Sequence, residues 1–184
     1  EQTKANNVKD FYVEVLEAEQ HIHIVAAAPH PDITAIKQSL EGNKNYRVET
    51  NYATSFQAPK PAPDLIILHQ IPARISNASD QWLQYVSRED IPVCYITGSQ
   101  SNLRKLNNAQ GLLNIRETNQ QFNEVIPFFN PDFSLFQIEE ERAGEFKQYP
   151  PMSAPYGEYK VNPRAQILFY QQIGKVETEY PLIV

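Results

Sequence analysis

Three apolar runs constrain the fold of this chain more than any other feature of its sequence. They are "IVAAA" at 24–28, "LIIL" at 65–68 and "IPVCYI" at 91–96, and segments with helical spacing separate them. Strands that are apolar at successive positions are typical of a parallel sheet buried on both faces. Alternation of such strands with helices indicates βαβ units. We therefore predict an α/β domain whose mostly parallel central sheet carries helices on both faces.

Helices are predicted after each of the three runs, where polar residues can cap their first turns. Asp32 is placed to cap the first helix, and Ser79 or Asp80 the second. A polar third helix is predicted at 102–110, and a short strand at 46–52.

The pattern changes beyond residue 120, where aromatic residues and prolines become frequent. The segment "YPPMSAPYGEY" at 149–159 predicts a loop, and 165–184 predicts two strands around a turn at Gly174. No flexible linker separates these segments from the first part, so one domain is expected. The prediction is a single domain over 1–184, with an N-terminal edge strand at 1–21, a parallel α/β core at 22–126 and a β-rich extension at 127–184.

Charge and composition narrow the classes of partner. The net charge is −6, from 16 basic and 22 acidic residues, with no basic stripe to neutralise phosphates, so no nucleic-acid partner is expected. No apolar run reaches the roughly 18 residues of a membrane-spanning helix, so the segment itself is not expected to insert into a membrane. The single cysteine excludes an internal disulfide and leaves the compartment open. Because the chain ends on the strand-like "EYPLIV", we expect a domain cut from a longer protein.

Polar side chains follow the three apolar runs, at the edge of the sheet where ligands bind in folds of this type. We expect these side chains to line one common pocket. In chain order they are His30, Asp32, His69, Gln70, Thr97, Ser99 and Gln100.

The predicted pocket has two interpretations. In the first, a histidine serves as base for Ser99 or Cys94, or His30, Asp32 and His69 bind a metal ion. In the second, the aspartate and Ser99 or Ser101 cap helices and the histidines close loops. The second is favoured because these loops carry no closely spaced histidine pair, so neither a metal nor another cofactor is expected.

A closely spaced pair does occur elsewhere, in His21 and His23. These residues precede the first apolar run and so lie at the opposite end of the sheet from the predicted pocket. We expect them to occupy solvent-exposed edge positions and not to bind a metal.

The stretches "IVAAAPHPD", "PDLIILHQIP" and "IPVCYITGSQ" resemble the class I glutamine amidotransferase-like fold. That family includes true amidotransferases and ThuA-like proteins, and the resemblance covers about residues 22–126. It implies a flavodoxin-like three-layer sandwich. The later stretches "FNEVIPFFNPDFSLF", "YPPMSAPYGEY" and "YQQIGKVETEYPLIV" resemble bacterial envelope proteins in which such a domain accompanies membrane-spanning segments. This implies a periplasmic or membrane-anchored location, with other domains or subunits of an envelope protein as partners.

The chain departs from the amidotransferases at the residues that perform catalysis. Their G-x-C-x-G elbow, followed by glutamine, aligns with Gly98 and Gln100, which places Ile96 at the nucleophile position. Cys94 lies two residues earlier within the strand, and we predict that it is buried and unreactive. All four histidines precede it, whereas the enzymes carry theirs after the nucleophile. "HQIP" also replaces the glycines that bind the oxyanion, so no catalytic residue is assigned.

Two functions remain. The first is a non-catalytic domain that serves binding or assembly in a larger, membrane-associated protein; the aromatic segments at 126–136 and 149–159 either offer it a contact surface or fill the core. The second is a ThuA-like hydrolase or isomerase that acts on a small polar or carbohydrate ligand through His30, Asp32 and His69. An open pocket with Ser99 within reach of the histidines would favour the enzyme. A homo-oligomer stays open, because edge strands need cover.

Overall fold

A computed structural model describes residues 19–75 and 78–184. Residues 1–18 of the N-terminal edge strand predicted at 1–21 lie outside the described residues. In chain order the elements are β1 Gln20–Ala26, α1 Pro31–Glu41, β2 Tyr46–Tyr52, β3 Leu65–His69, α2 Ala78–Arg88, β4 Val93–Ile96, α3 Leu103–Ala109, β5 Leu113–Phe129, α4 Glu140–Glu145, β6 Met152–Val161, β7 Phe169–Ile173 and β8 Val176–Ile183.

The first sheet has four parallel strands in the order β2-β1-β3-β4. Ile24 and Val25 are adjacent in β1 and both are fully buried, although their side chains point to opposite faces. Helix α1 packs Ile33 on the face that includes Ile24. Helix α2 packs Trp82 on the opposite face, against Val25. The predicted parallel α/β arrangement is therefore confirmed.

The second sheet is antiparallel, with the strand order β6-β5-β7-β8. Strand β5 pairs first with β6 and then with β7, and its register shifts between Glu117 and Phe122, where two residues have positive φ. The rings of Tyr159 in β6 and Tyr180 in β8 lie 5.4 Å apart although these are the outer strands, so the sheet is curled. Since β5 begins at Leu113, the expected core boundary at 126 falls inside this strand.

The prediction of a loop at 149–159 is wrong, because most of this segment forms β6. Proline lacks the N–H that a central strand needs, but β6 is an outer strand and tolerates Pro155. The hairpin predicted around Gly174 is confirmed: β7 and β8 flank it, and its φ of 58° is one that glycine adopts without strain.

The caps predicted for all three helices are wrong. His30 is the N-cap of α1, since its Nδ1 accepts a hydrogen bond from the backbone N–H of Asp32 at 3.3 Å. Helix α2 already includes Ser79, whose Oγ accepts from the backbone N–H of Ala73 at 3.1 Å. Helix α3 is capped by Asn102, so neither Ser99 nor Ser101 has that role.

The two sheets meet at α3. Leu103 and Leu106 of this helix pack on Ile115 of β5, and Tyr95 of β4 contacts the same cluster. An ion pair of 2.7 Å between Arg74 and Glu117 joins the loop after β3 to β5. Within the described residues, the helices are all too short or too polar to span a membrane.

Candidate functional site

The chain brings His30, Asp32 and His69 together at the carboxyl edge of the parallel sheet. Ala26, the last residue of β1, pairs in register with His69, the last residue of β3, so the two strands end level with each other. The short turn after β1 then places His30 at the start of α1 and Asp32 in its first turn. The predicted convergence of these three side chains is observed.

Asp32 contacts each histidine through a different carboxylate oxygen. Its Oδ2 lies 3.3 Å from Nε2 of His69, and its Oδ1 lies 3.2 Å from Nδ1 of His30. The two imidazole rings are 4.9 Å apart and inclined at 43°. One ligand atom from each of the three residues can be chosen so that all lie within 4.8 Å of one another.

The environments of the two imidazoles differ. His69 is only 2% exposed, and its burial lowers its pKa; the hydrogen bond to Asp32 opposes this shift, and the nearby His30 adds to it. The Nδ1 atom of His69 has no hydrogen-bond partner in the part of the chain that the structure describes. His30, in contrast, is 40% exposed at its side chain. The site therefore combines one buried, neutral imidazole with one that reaches solvent.

An open groove of about 600 Å³ starts at His30 and runs along α1 to the end of β2. Sequence reasoning missed this groove, although polar residues at helical spacing on α1 were a signal for it. Its hydrogen-bonding side chains are those of His30, Thr34, Lys37, Gln38, Glu41, Thr50 and Tyr52.

Gln70 belongs to a separate contact and not to the histidine cluster. Its side-chain Oε1 accepts a hydrogen bond of 2.9 Å from the backbone N–H of Gln100. The backbone N–H of Gln70 donates to the carbonyl of Ile96 at 2.7 Å. A Cβ atom on Gly98 would lie 2.6 Å from Cδ of Gln70. The buried glutamine therefore fixes the turn after β4.

The remaining predicted pocket residues lie on that same turn. Thr97 is half-buried and Ser99 is exposed. Among the described residues, the Ser99 hydroxyl has no hydrogen bond and does not line the groove. Because β4 lies one strand beyond β3, the expected single pocket is divided in two: the His30, Asp32 and His69 cluster, and the Gln70 contact with the β4 turn.

The prediction that Cys94 is buried is wrong. The residue is exposed because β4 is the outer strand of the parallel sheet, whereas α1 contacts β1 and β2. Neighbouring protein atoms still exclude water from part of its thiol, and this desolvation raises the thiol pKa. The raised pKa disfavours the reactive thiolate. Ile96, at the position aligned with the amidotransferase nucleophile, packs against the apolar cluster under α1.

The expectation that His21 and His23 occupy exposed edge positions is also wrong. Strand β1 lies between β2 and β3, so both residues are in the interior of the sheet. His23 is 2% exposed and stacks on Trp82 at 5.8 Å. Its burial lowers its pKa, while Glu49, with Oε2 4.0 Å from Nδ1, opposes the shift and His21 adds to it.

The chain matches no family model, no curated protein and no solved structure. A functional assignment therefore depends on the geometry of the site and on the chemistry of its residues.

Proposed function

We propose that this chain is a non-catalytic, amidotransferase-like domain that serves binding or assembly in a larger, membrane-associated protein. The observation that carries the proposal is the convergence of His30, Asp32 and His69 at the carboxyl edge of β1 and β3. In open α/β sheets this edge is where ligands bind.

The strand order supports a flavodoxin-like sandwich as the framework of the site. The order β2-β1-β3-β4 corresponds to the first four strands of the flavodoxin-like order. Helices α1 and α2 pack on opposite faces, as three layers require. In that fold the ligand lies at the switch point between β1 and β3, which is the position of the histidine cluster.

Three features argue against glutamine hydrolysis. Ile96 cannot act as a nucleophile, and the thiol of Cys94 has a raised pKa and lies on the outer strand. Ser99 has no hydrogen bond to a base within the described residues. These features support a site that binds a ligand without breaking it down.

The groove beside His30 supports a small polar ligand. Hydroxyl groups of Thr34, Thr50 and Tyr52 provide hydrogen-bond donors and acceptors, as does the ion pair of 3.6 Å between Lys37 and Glu41. A ligand with several hydroxyl or carboxylate groups, such as a sugar, a polyol or a sugar acid, suits such a lining.

One observation favours the second candidate, a ThuA-like hydrolase or isomerase that acts on a small polar or carbohydrate ligand. His30, whose side chain is 40% exposed, lies beside Asp32 at the start of the groove, where a general base for a bound ligand would have to lie. The groove starts at the same cluster. The two candidates differ in whether the bound ligand is chemically changed.

Exposed apolar side chains support the assembly part of the proposal. Phe136, Tyr149 and Met152 are each about half exposed, and they lie in or near the two aromatic segments. These side chains would contact other domains or subunits of an envelope protein, or a second copy of the chain. The resemblance to envelope proteins supports a periplasmic or membrane-anchored location.

Thermal unfolding with a panel of sugars, polyols, sugar acids and amino acids tests the binding proposal. A ligand at 100 times its Kd adds about 2.7 kcal/mol to the stability, which raises Tm by several degrees at this chain length. We expect the shift in the wild type and in Lys44→Ala, an exposed control outside the groove, and its loss in His69→Ala and Lys37→Ala.

The absence of any stabilising ligand in the panel would count against the binding proposal. Chromatography of a stabilising ligand after incubation with the protein separates the two candidates. Recovery of the unchanged ligand supports the non-catalytic domain, and its conversion supports the hydrolase or isomerase.

A further inference from the structure

Two of the three separations in the histidine cluster are those of a metal centre. In tetrahedral sites with bonds of about 2.0–2.1 Å, neighbouring ligand atoms lie about 3.3 Å apart. Asp32 Oδ1 and His30 Nδ1 are 3.2 Å apart, and Asp32 Oδ2 and His69 Nε2 are 3.3 Å apart. Each imidazole faces a different oxygen of Asp32, so one ion between the rings would be bound by both oxygens or, after rotation of the carboxylate, by one.

Two groups of Asp32 compete for the single in-plane site on Nδ1 of His30. Its Nδ1 accepts from the backbone N–H of Asp32 at 3.3 Å, which requires a nitrogen without a proton. The same Nδ1 lies 3.2 Å from Asp32 Oδ1, and a carboxylate oxygen can only accept. With the proton on Nδ1 the ring would instead donate to Oδ1 and lose the cap, and a metal ion bound to Nδ1 would take the place of that proton beside the carboxylate.

His69 is also incompletely satisfied by protein groups. It is 2% exposed, and only its Nε2 contacts a polar partner, Asp32, in the described part of the chain. Buried polar side chains normally use their hydrogen-bonding groups, since burial without a partner costs free energy. An ion would not relieve the unpartnered Nδ1, but Nε2 faces Asp32 and is therefore the nitrogen that an ion held by this carboxylate would bind.

We infer that His30, Asp32 and His69 bind one divalent transition-metal ion of the Zn²⁺ type. Two imidazole nitrogens and one carboxylate oxygen suit Zn²⁺ or Fe²⁺ better than Ca²⁺ or Mg²⁺, which prefer oxygen ligands. The longest distance between two of the three ligand atoms is no more than 4.8 Å. The side chains of His30 and Asp32 are 40% and 53% exposed, so small rotations of them can shorten this distance.

Three protein ligands leave a coordination position for water or for a ligand oxygen. The groove begins at His30, so a polar ligand bound there would lie next to the ion. This site reverses the expectation, from sequence spacing alone, that no metal is bound. The inference does not depend on the proposed function, because metal binding is measurable without any polar ligand.

Calorimetric titration of the metal-free chain 1–184 with Zn²⁺ tests the site. We expect one equivalent to bind, with Kd raised at least tenfold in His30→Ala and Asp32→Asn. Both residues are partly exposed, so these variants should fold even if His69→Ala does not. Co²⁺ in place of Zn²⁺ should give visible absorption bands that disappear in the same two variants.

Two control variants are matched to these changes. Asp80 lies in the first turn of α2 and is 53% exposed, as Asp32 is in α1, so Asp80→Asn should leave Kd within twofold. His21→Gln removes a histidine from the other pair and should also have no effect. Zinc binding that survives in both cluster variants, or is lost in His21→Gln instead, would overturn the inference, as would a folded wild type that binds no Zn²⁺.

Thermal unfolding with the same ligand panel, measured once in EDTA and once with added Zn²⁺, separates this inference from the proposed function. Ligand stabilisation without zinc binding contradicts the metal site only. Zinc binding without stabilisation by any polar ligand contradicts the binding proposal only.

Discussion

The carboxylate of Asp32 lies 3.3 Å from Nε2 of His69, although 37 positions separate the two residues in the chain. The contact follows from strand order. Strands β1 and β3 are neighbours and end level, so the start of α1 faces the end of β3. A pair that is distant in sequence thus becomes the centre of the site.

The buried His23 should make the stability depend on pH. Because its folded-state pKa is lowered, the ring is neutral in both states above the ordinary value of about 6.5. As the pH falls below 6.5, the unfolded chain binds a proton that the folded chain does not, and stability is lost until the folded pKa is passed. The loss is at most about 1.4 kcal/mol per pH unit for one proton. Urea unfolding between pH 7.5 and 5.5 measures it.

His23→Phe is the matched variant for this measurement, because it keeps a ring stacked on Trp82. Burial also lowers the pKa of His69 and contributes in the same direction, but His69 is present in both proteins. The difference in slope therefore reports His23 together with its coupling to Glu49 and His21. Equal slopes in the wild type and the variant would contradict the prediction.

Gly98→Ala should destabilise the fold through a clash with Gln70. The added Cβ would lie 2.6 Å from Gln70 Cδ, and overpacking of this kind costs about 1–3 kcal/mol. Gln70 has a φ of 58°, so Gln70→Gly removes the clash without backbone strain. In chemical denaturation, Gly98→Ala should therefore cost less in the Gln70→Gly background than in the wild type.

Gly111→Ala is the control for this pair, since no atom of the described residues beyond its chain neighbours lies within 4 Å of its added Cβ. It should change the free energy of unfolding by no more than about 0.5 kcal/mol. A Gly98→Ala variant as stable as this control would show that the turn after β4 does not depend on Gln70.

Cys94 should react slowly with thiol reagents at pH 7 despite its exposure. Its raised pKa reduces the fraction of thiolate, which is the reacting species. We expect the labelling rate of the folded chain to be below that of the urea-unfolded chain, and to approach it as the pH rises past the folded pKa. Folded-state labelling as fast as unfolded-state labelling at pH 7 would refute this.

The elements that sequence predicted well have strong local patterns. The strand expected at 46–52 is β2, and the predicted helices match α1, α2 and α3 closely. Strand β6 was missed because prolines indicate turns, and only its position at the edge of the second sheet makes Pro155 acceptable there. The position of a strand within a sheet is a tertiary property that local patterns do not contain.

The same limit explains the outcome at the site. The sequence correctly predicts that His30, Asp32 and His69 lie at one edge of the parallel sheet, because all three follow predicted parallel strands. It could not divide that edge into the histidine cluster and the contact of Gln70 with the β4 turn, which depends on strand order. Equally, the sequence predicts an exposed position for His23 because this residue precedes the first apolar run, and local patterns do not show that β1 is central.

Arg74, which forms the ion pair with Glu117, lies only five residues after His69 in the chain. Arg74 also donates through Nε to the carbonyl of Ser101 at 2.9 Å, and Gln70 bonds the adjacent Gln100. The segment from His69 to Arg74 thus carries the buried imidazole at its first residue and contacts the antiparallel sheet at its last. A rotation between the two sheets would have to break these bonds or displace His69, which couples the geometry of the site mechanically to the orientation of the second sheet.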